Sequence, residues 1–168
     1  MATLDIPVLW NAGKPDTSGN VYAVPSSIDR TTAPWIAQSV AFKDSGTRIG
    51  WGLRFRVPQS YVGTAVVVIT WASSVTTGNV VWDFDYRALT GDNAESTNQA
   101  GTQEAVTVTD GAGGTAWFQM IATISLTSGN FAANDEVQAI IYRDGSDAAD
   151  TLAATTFLDS LVFRFNDA

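Results

Sequence analysis

Between Arg48 and Val57 the chain alternates with a period of two. Ile49, Trp51, Leu53, Phe55 and Val57 fall on one side, and Arg48, Gly50, Gly52, Arg54 and Arg56 on the other. Only an extended strand separates the two sets this way, because successive side chains of a strand point to opposite faces. One face of bulky apolar groups and one of arginine and glycine place this strand in a sheet that packs on a core and opens to water. The pattern returns from Gly78 to Leu89, with Val80, Trp82, Phe84 and Tyr86 set against Val81, Asp83, Asp85 and Arg87. Gly63 to Ala72 is a β-branched run containing Trp71. The turn-rich stretch from Ser73 to Asn79 predicts that this run and the next strand form a hairpin.

Further strands are expected at Glu104–Thr109, Thr115–Thr127, Asp135–Arg143 and Phe157–Phe165, the last with Leu161, Phe163 and Phe165 on one face. The stretch Thr115–Thr127 is apolar on both faces, which predicts cover on both sides. Thr90–Gly101 and Asp144–Thr151 read as exposed polar loops, and only Ala33–Phe42 and Asp147–Ala154 could form short helical turns. The sum is an all-β fold: an antiparallel β-sandwich or jelly roll of about eight strands. The first 45 residues hold four of the five prolines and predict an irregular N-terminal arm with two short strands. Residues 1–45 are therefore read as an arm and loops packing on the domain or on a neighbour, and 46–168 as the sandwich, a single domain overall.

Composition narrows the chemistry. Cysteine and histidine are both absent, which removes disulfides, thiolate metal sites and any Ser/His/Asp triad. Nine basic residues against 17 acidic ones give a net charge of -8, which opposes a phosphate backbone, so no nucleic-acid partner is expected. The longest aliphatic run, Ala65–Ile69, is strand-sized. Neither a membrane span nor a signal peptide is expected.

Three constellations could carry function. Asp83 and Asp85 lie two apart on a strand, which sets their carboxylates roughly 6–7 Å apart, near the separation glycosidases use. Nearby arginines would lower both acids instead of splitting their pKa values. The pair is therefore read as part of a charged face, bound by Arg54, Arg56 or Arg87, and no catalytic residue is expected. The run Asp144–Asp150 has three carboxylates three residues apart, but it lacks the alternate ligands and terminal Glu of a calcium loop. Its aspartates are read as turn formers and caps, with Arg143 near enough to neutralise one, and no metal ligand or cofactor is assigned. Among the tryptophans, Trp51, Trp71 and Trp82 fall on core faces, whereas Trp10 and Trp35 lie in the irregular N-terminal part and suit interface anchors. Asp110–Gly114 has no following Lys and helix, so it is a flexible turn and not a phosphate loop.

The stretches Arg48–Pro58, Gly78–Arg87, Tyr142–Gly145 with Asp150–Thr151, and Phe157–Phe165 resemble small jelly-roll virion proteins of tailed bacteriophages, of the capsid decoration, cement or head-fibre type. The resemblance implies a homotrimer on the capsid surface that binds the major capsid protein and stabilises the assembled lattice, without enzymatic turnover. In that setting Trp10, Trp35, Arg54, Arg56, Asp83, Asp85 and Arg87 are the expected interface residues. Trp117, Ile121 and Val81 lie opposite the expected core and add apolar surface that suits an oligomer. The alternative is a tail-fibre receptor-binding or carbohydrate-binding module that uses exposed aromatics and the two polar loops.

Overall fold

The alternating segments do form strands, and their apolar faces meet. The computed structural model describes residues 2–8, 13–16, 23–29, 36–91, 95–98 and 101–168. Its strands are β1 (Thr3–Pro7), β2 (Lys14–Pro15), β3 (Val24–Asp29), β4 (Ile36–Phe42), β5 (Arg48–Arg56), β6 (Tyr61–Ser73), β7 (Asn79–Leu89), β8 (Glu104–Gly111), β9 (Met120–Leu126), β10 (Glu136–Asp144) and β11 (Thr156–Asp167). One antiparallel sheet runs β3-β4-β11-β6-β9, with β1 also paired to β11; the second runs β2-β5-β10-β7-β8. The fold is thus the all-β antiparallel sandwich that the alternation implies. Eleven strands stand among the described residues where about eight were expected. The difference lies in the first 45 residues, where four strands stand in place of the two expected, and three of them are short or contain proline.

Three local expectations are corrected. β6 and β7 do not form a hairpin: β6 pairs with β9 and β11, while β7 pairs with β8 and β10 in the opposite sheet. The connection crosses between sheets at Gly78, whose φ of +100° favours glycine and where a Cβ would lie 2.7 Å from the Thr151 carbonyl oxygen. The strand expected from Thr115 begins only at Met120, and before it Trp117 adopts a left-handed φ of 65°. Residues 36–42 form β4 and not a helical turn, and no helix forms at 147–154. No helix among the described residues is long and apolar enough to cross a membrane.

The core is made from matched rungs. In the first sheet Phe165–Ala65–Leu126, Phe163–Val67–Ile124 and Leu161–Ile69–Ala122 face inward across β11, β6 and β9. In the second sheet Phe55–Val137–Ala88, Leu53–Ala139–Tyr86 and Trp51–Ile141–Phe84 do so across β5, β10 and β7. Aromatic rings join the layers: Phe55 lies 5.0 Å from Phe163, and Trp82 lies 5.3 Å from Phe42 and 6.3 Å from Trp71. Trp51, Trp71 and Trp82 are buried, as their strand faces predict.

The next inward rung is Ile49–Arg143–Trp82, which puts an arginine of 0% exposure at the end of the core. Its guanidinium donates to both carboxylate oxygens of Asp150, at 3.0 and 2.7 Å, and to the carbonyls of Leu152 and Ala154. A longer contact of 3.3 Å reaches Asp44. The chain from Asp144 to Thr155 is thereby folded back on the sandwich, and Asp150 also accepts from the Val81 amide. Removing one partner of a buried pair leaves the other charge without compensation. Arg143→Met is expected to lower unfolding free energy by about 3–5 kcal/mol in urea titrations. A loss below about 1 kcal/mol, the value of a surface pair, would show that this clamp does not close the end of the sandwich.

Candidate functional site

The outer face of the second sheet carries the other half of each alternation. Opposed residues of antiparallel strands share a face, so the register fixes the rungs on this side. Arg54–Gln138–Arg87 forms one, and Lys14–Gly52–Ile140–Asp85 the next. Gly50–Tyr142–Asp83–Thr107 follows. These rungs border a cleft of about 580 Å³, to which Thr97, Gly101 and Thr102 of the loop between β7 and β8 also contribute. Gly52 and Ile140 supply a low, apolar floor, and Arg54, Gln138, Arg87, Lys14 and the Tyr142 side chain supply polar groups around it.

One end of the cleft is built on an ion cluster. The Arg48 guanidinium donates to Asp83 at 2.8 Å and to both oxygens of Asp85 at 2.9 and 2.8 Å, and it lies 3.8 Å from the centre of the Tyr142 ring. Thr107 donates its hydroxyl to the other Asp83 oxygen at 2.6 Å. Burial works against the Arg48 charge, but hydrogen bonds and charge from Asp85, then Asp83, outweigh it and raise its pKa above the ordinary value. The Tyr142 hydroxyl is pushed up to about 12, first by burial and then by the negative charge of Asp16, with Arg48 opposing. The ring can lie there only because residue 50 has no side chain: a Cβ on Gly50 would stand 2.4 Å from a Tyr142 ring carbon.

The loop is anchored at its far end. Gln103 donates its amide to the Tyr86 carbonyl and accepts the Ala88 amide at its side-chain oxygen, both at 2.9 Å. Beside it, Glu104 accepts the Tyr86 hydroxyl, the Thr127 hydroxyl at 2.6 Å, the Thr127 amide at 3.0 Å and the Asn130 side-chain amide at 3.3 Å. This knot joins β7 and β8 of one sheet to the segment after β9 of the other. Burial alone would raise the Glu104 pKa, but the bonds from Thr127, Tyr86 and Asn130 outweigh it and hold the carboxyl below its usual value. The Tyr86 hydroxyl is raised, by burial first and then by Glu104.

Of the residues singled out from sequence, Arg54, Arg87 and Asp85 meet at the cleft, with Asp83 just beyond it. The cation that binds both aspartates is Arg48, not Arg54, Arg56 or Arg87. Arg54 instead makes a 3.5 Å contact with Glu136, its side chain 74% exposed, and Arg56 lies on the outer rung with Glu136 and Leu89. Trp10 and Trp35 lie outside the described residues. Lys14, Gln138, Ile140 and Tyr142 were not singled out, because their role follows from which strands are neighbours. In the Asp144–Asp150 run, Asp144 accepts from Ser146 and Asp147 accepts the Ala149 amide within the turn, while Asp150 ties the turn to Arg143 of β10 and the Val81 amide of β7. No group of three or more acidic side chains converges to hold a metal among the described residues.

A second surface lies on the first sheet. Phe118 and Ile121 are 61% and 62% exposed, and Trp117, at 36%, packs its ring 5.5 Å from Phe157. Ile121 and Trp117 are thus open on the side where cover was expected, whereas Val81 is buried within the chain itself.

No family model and no curated protein sequence matches the chain. Among solved structures it is similar to an arabinose-bound α-L-arabinofuranosidase (TM-score 0.51, 14% identity), covering 95% of this chain and 24% of that one. It is similar also to an exo-β-1,3-galactanase from Phanerochaete chrysosporium with galactose (TM-score 0.51, 12% identity), covering 97% of this chain and 29% of that one. A family 35 carbohydrate-binding module from Clostridium thermocellum aligns over 97% of this chain and 98% of its own, with TM-score 0.49 and 10% identity. The chain spans about a quarter of the length of the first two. These likenesses are of fold, and the phage resemblance rests on the sequence patterns alone.

The Glu104 knot gives a pH dependence with a fixed sign. A carboxyl whose folded pKa lies below its ordinary 4.5 stabilises the fold fully above that value, and this contribution fades as pH falls through the lower folded value. The stability gap between the native chain and Glu104→Gln should therefore be widest at neutral pH and narrow on acidification. Urea midpoints from pH 7 down to pH 3 check this, and a gap that stays constant would remove the knot as an ionised acceptor.

Proposed function

We propose that this chain is a carbohydrate-binding module whose ligand lies in the cleft on the outer face of the second sheet, and that it binds without turnover. The observation that carries this reading is the make-up of the cleft. An apolar floor of Gly52 and Ile140 suits the C–H face of a sugar ring, and the planar donors and acceptors of Arg54, Gln138 and Arg87 stand where ring hydroxyls would project. Binding sites of this kind depend on a few fixed polar groups, and here they are mounted on three adjacent strands of one sheet. The two structures at TM-score 0.51 are an arabinose-bound α-L-arabinofuranosidase and an exo-β-1,3-galactanase with galactose, and this chain aligns with about a quarter of each. In this reading Asp83 and Asp85 serve the cleft as the two partners of one guanidinium.

A second reading follows from the resemblance to tailed-phage virion proteins: a trimeric decoration subunit that binds the assembled lattice and stabilises it by mass action. The exposed group of Trp117, Phe118 and Ile121 favours it, since apolar side chains clustered on a surface mark association sites.

Two measurements test these readings. A glycan array followed by calorimetric titration should find a bound oligosaccharide, and Arg54→Ala or Gln138→Ala should weaken it at least tenfold, about 1.4 kcal/mol. Trp117→Ala should leave that affinity unchanged. No binding to any glycan would overturn the module reading. For the second, light scattering should give three times the 17.8 kDa chain mass, reduced to one chain by Trp117→Ser with Ile121→Thr; a monomer in the native protein would remove the trimer.

A further inference from the structure

Basic residues are scarce in this chain, nine against 17 acidic ones, yet five of them stand on the outer face of the second sheet or at its edge: Lys14, Arg48, Arg54, Arg56 and Arg87. Among the described residues the acidic groups on that face are Asp16, Asp83, Asp85, Glu136 and Asp144, and Asp16 lies beside Gly50 and Tyr142. Asp83 and Asp85 are held by Arg48, Asp144 accepts from Ser146, and Glu136 sits on the rim at 3.5 Å from Arg54 with its side chain 44% exposed. Among the described residues the cleft is lined by three cations, Lys14, Arg54 and Arg87, and by one anion, Asp85. In a chain of net charge -8 this is a local reversal of sign inside a concavity, where low-dielectric walls focus the field.

The geometry narrows the ligand. Arg54 and Arg87 flank Gln138 on one rung, two strand spacings apart, or about 10 Å at the backbone. Guanidinium groups offer paired donors in a plane, the arrangement that matches a carboxylate or sulfate oxygen pair. Resting on the carbohydrate-binding reading above, we propose that the cleft selects acidic glycans: a sugar bearing a carboxylate or sulfate takes its anionic group between Arg54 and Arg87, with Lys14 contributing charge at the edge. The Arg48 guanidinium offsets one of the two aspartate charges at short range, which weakens their repulsion of such a ligand.

The test is titration of the intact chain with three oligosaccharide sets: a neutral one, a uronate-containing one and a sulfated one, each at low and at high salt. An acidic polyglutamate peptide serves as a fourth probe. At least one acidic set should bind tenfold or more tightly than the neutral set, with an affinity that falls as salt rises. The uronate and sulfate arms then identify the anionic group. Arg54→Gln should abolish that preference, and Arg54→Lys should restore it in part; the high exposure of Arg54 lets both variants fold. Neutral glycans bound as tightly as acidic ones would overturn the inference and leave the module reading standing. Binding of no glycan would overturn both. Polyglutamate bound as tightly as the acidic glycans would show a general anion site for protein partners and overturn the glycan assignment.

Discussion

The buried contact between Arg143 and Asp150 does more than close one end of the sandwich. Strand side chains alternate with period two, so a slip of one residue in β10 would turn Arg143 to water and carry Gln138, Ile140 and Tyr142 into the core. The guanidinium can satisfy its donors only where Asp150 and the carbonyls of Leu152 and Ala154 converge, which is on the inner side. A buried ion pair adds little stability over well-packed apolar groups of the same volume, but it penalises alternatives heavily. Its effect here is to hold β10 in register with β5 and β7, and that register is what aligns Arg54, Gln138 and Arg87 on one rung.

The two sheets divide the work. In the first, β6 and β11 face the core with Val67, Ile69, Leu161 and Phe163, and most of what they offer is packing. The second sheet has equally buried inner residues, but its outer face alternates arginine and glycine on β5 with polar groups on β7 and β10. Glycine has a positive role there. At position 50 it admits the Tyr142 ring across the strand, and at position 52 it leaves the trough open where any larger residue would fill it.

Much of this was legible from the alternation. The inward sets of β5, β7 and β11 follow from period alone, as does the burial of Trp51, Trp71 and Trp82. Alternation reveals the face of a strand and not its neighbour, and the errors of pairing have that origin. Joining β6 to β7 as a hairpin assumed that sequential strands pair, whereas each needed its apolar face on opposite sides of the core. Matching Asp83 and Asp85 to Arg54, Arg56 or Arg87 failed for the same reason. β5 and β7 are separated by β10, and Arg48 reaches the aspartates only by crossing that strand over the Tyr142 ring. Lys14 was equally hidden, because a two-residue strand such as β2 has no period to read.

The Arg48 cluster also explains how an acidic chain can present a basic cleft. Left alone, Asp83 and Asp85 would set the sign of the field on this face and cancel Arg54 and Arg87. Drawn together on one guanidinium that stacks on an aromatic ring, half of their charge is offset at short range, where Coulomb attraction is strongest. Both carboxylates accept from that one guanidinium, and Asp83 accepts from the Thr107 hydroxyl as well. The sharing of Asp83 and Asp85 and the charge of the proposed binding cleft thus have a common origin, in the placement of a single arginine at the start of β5.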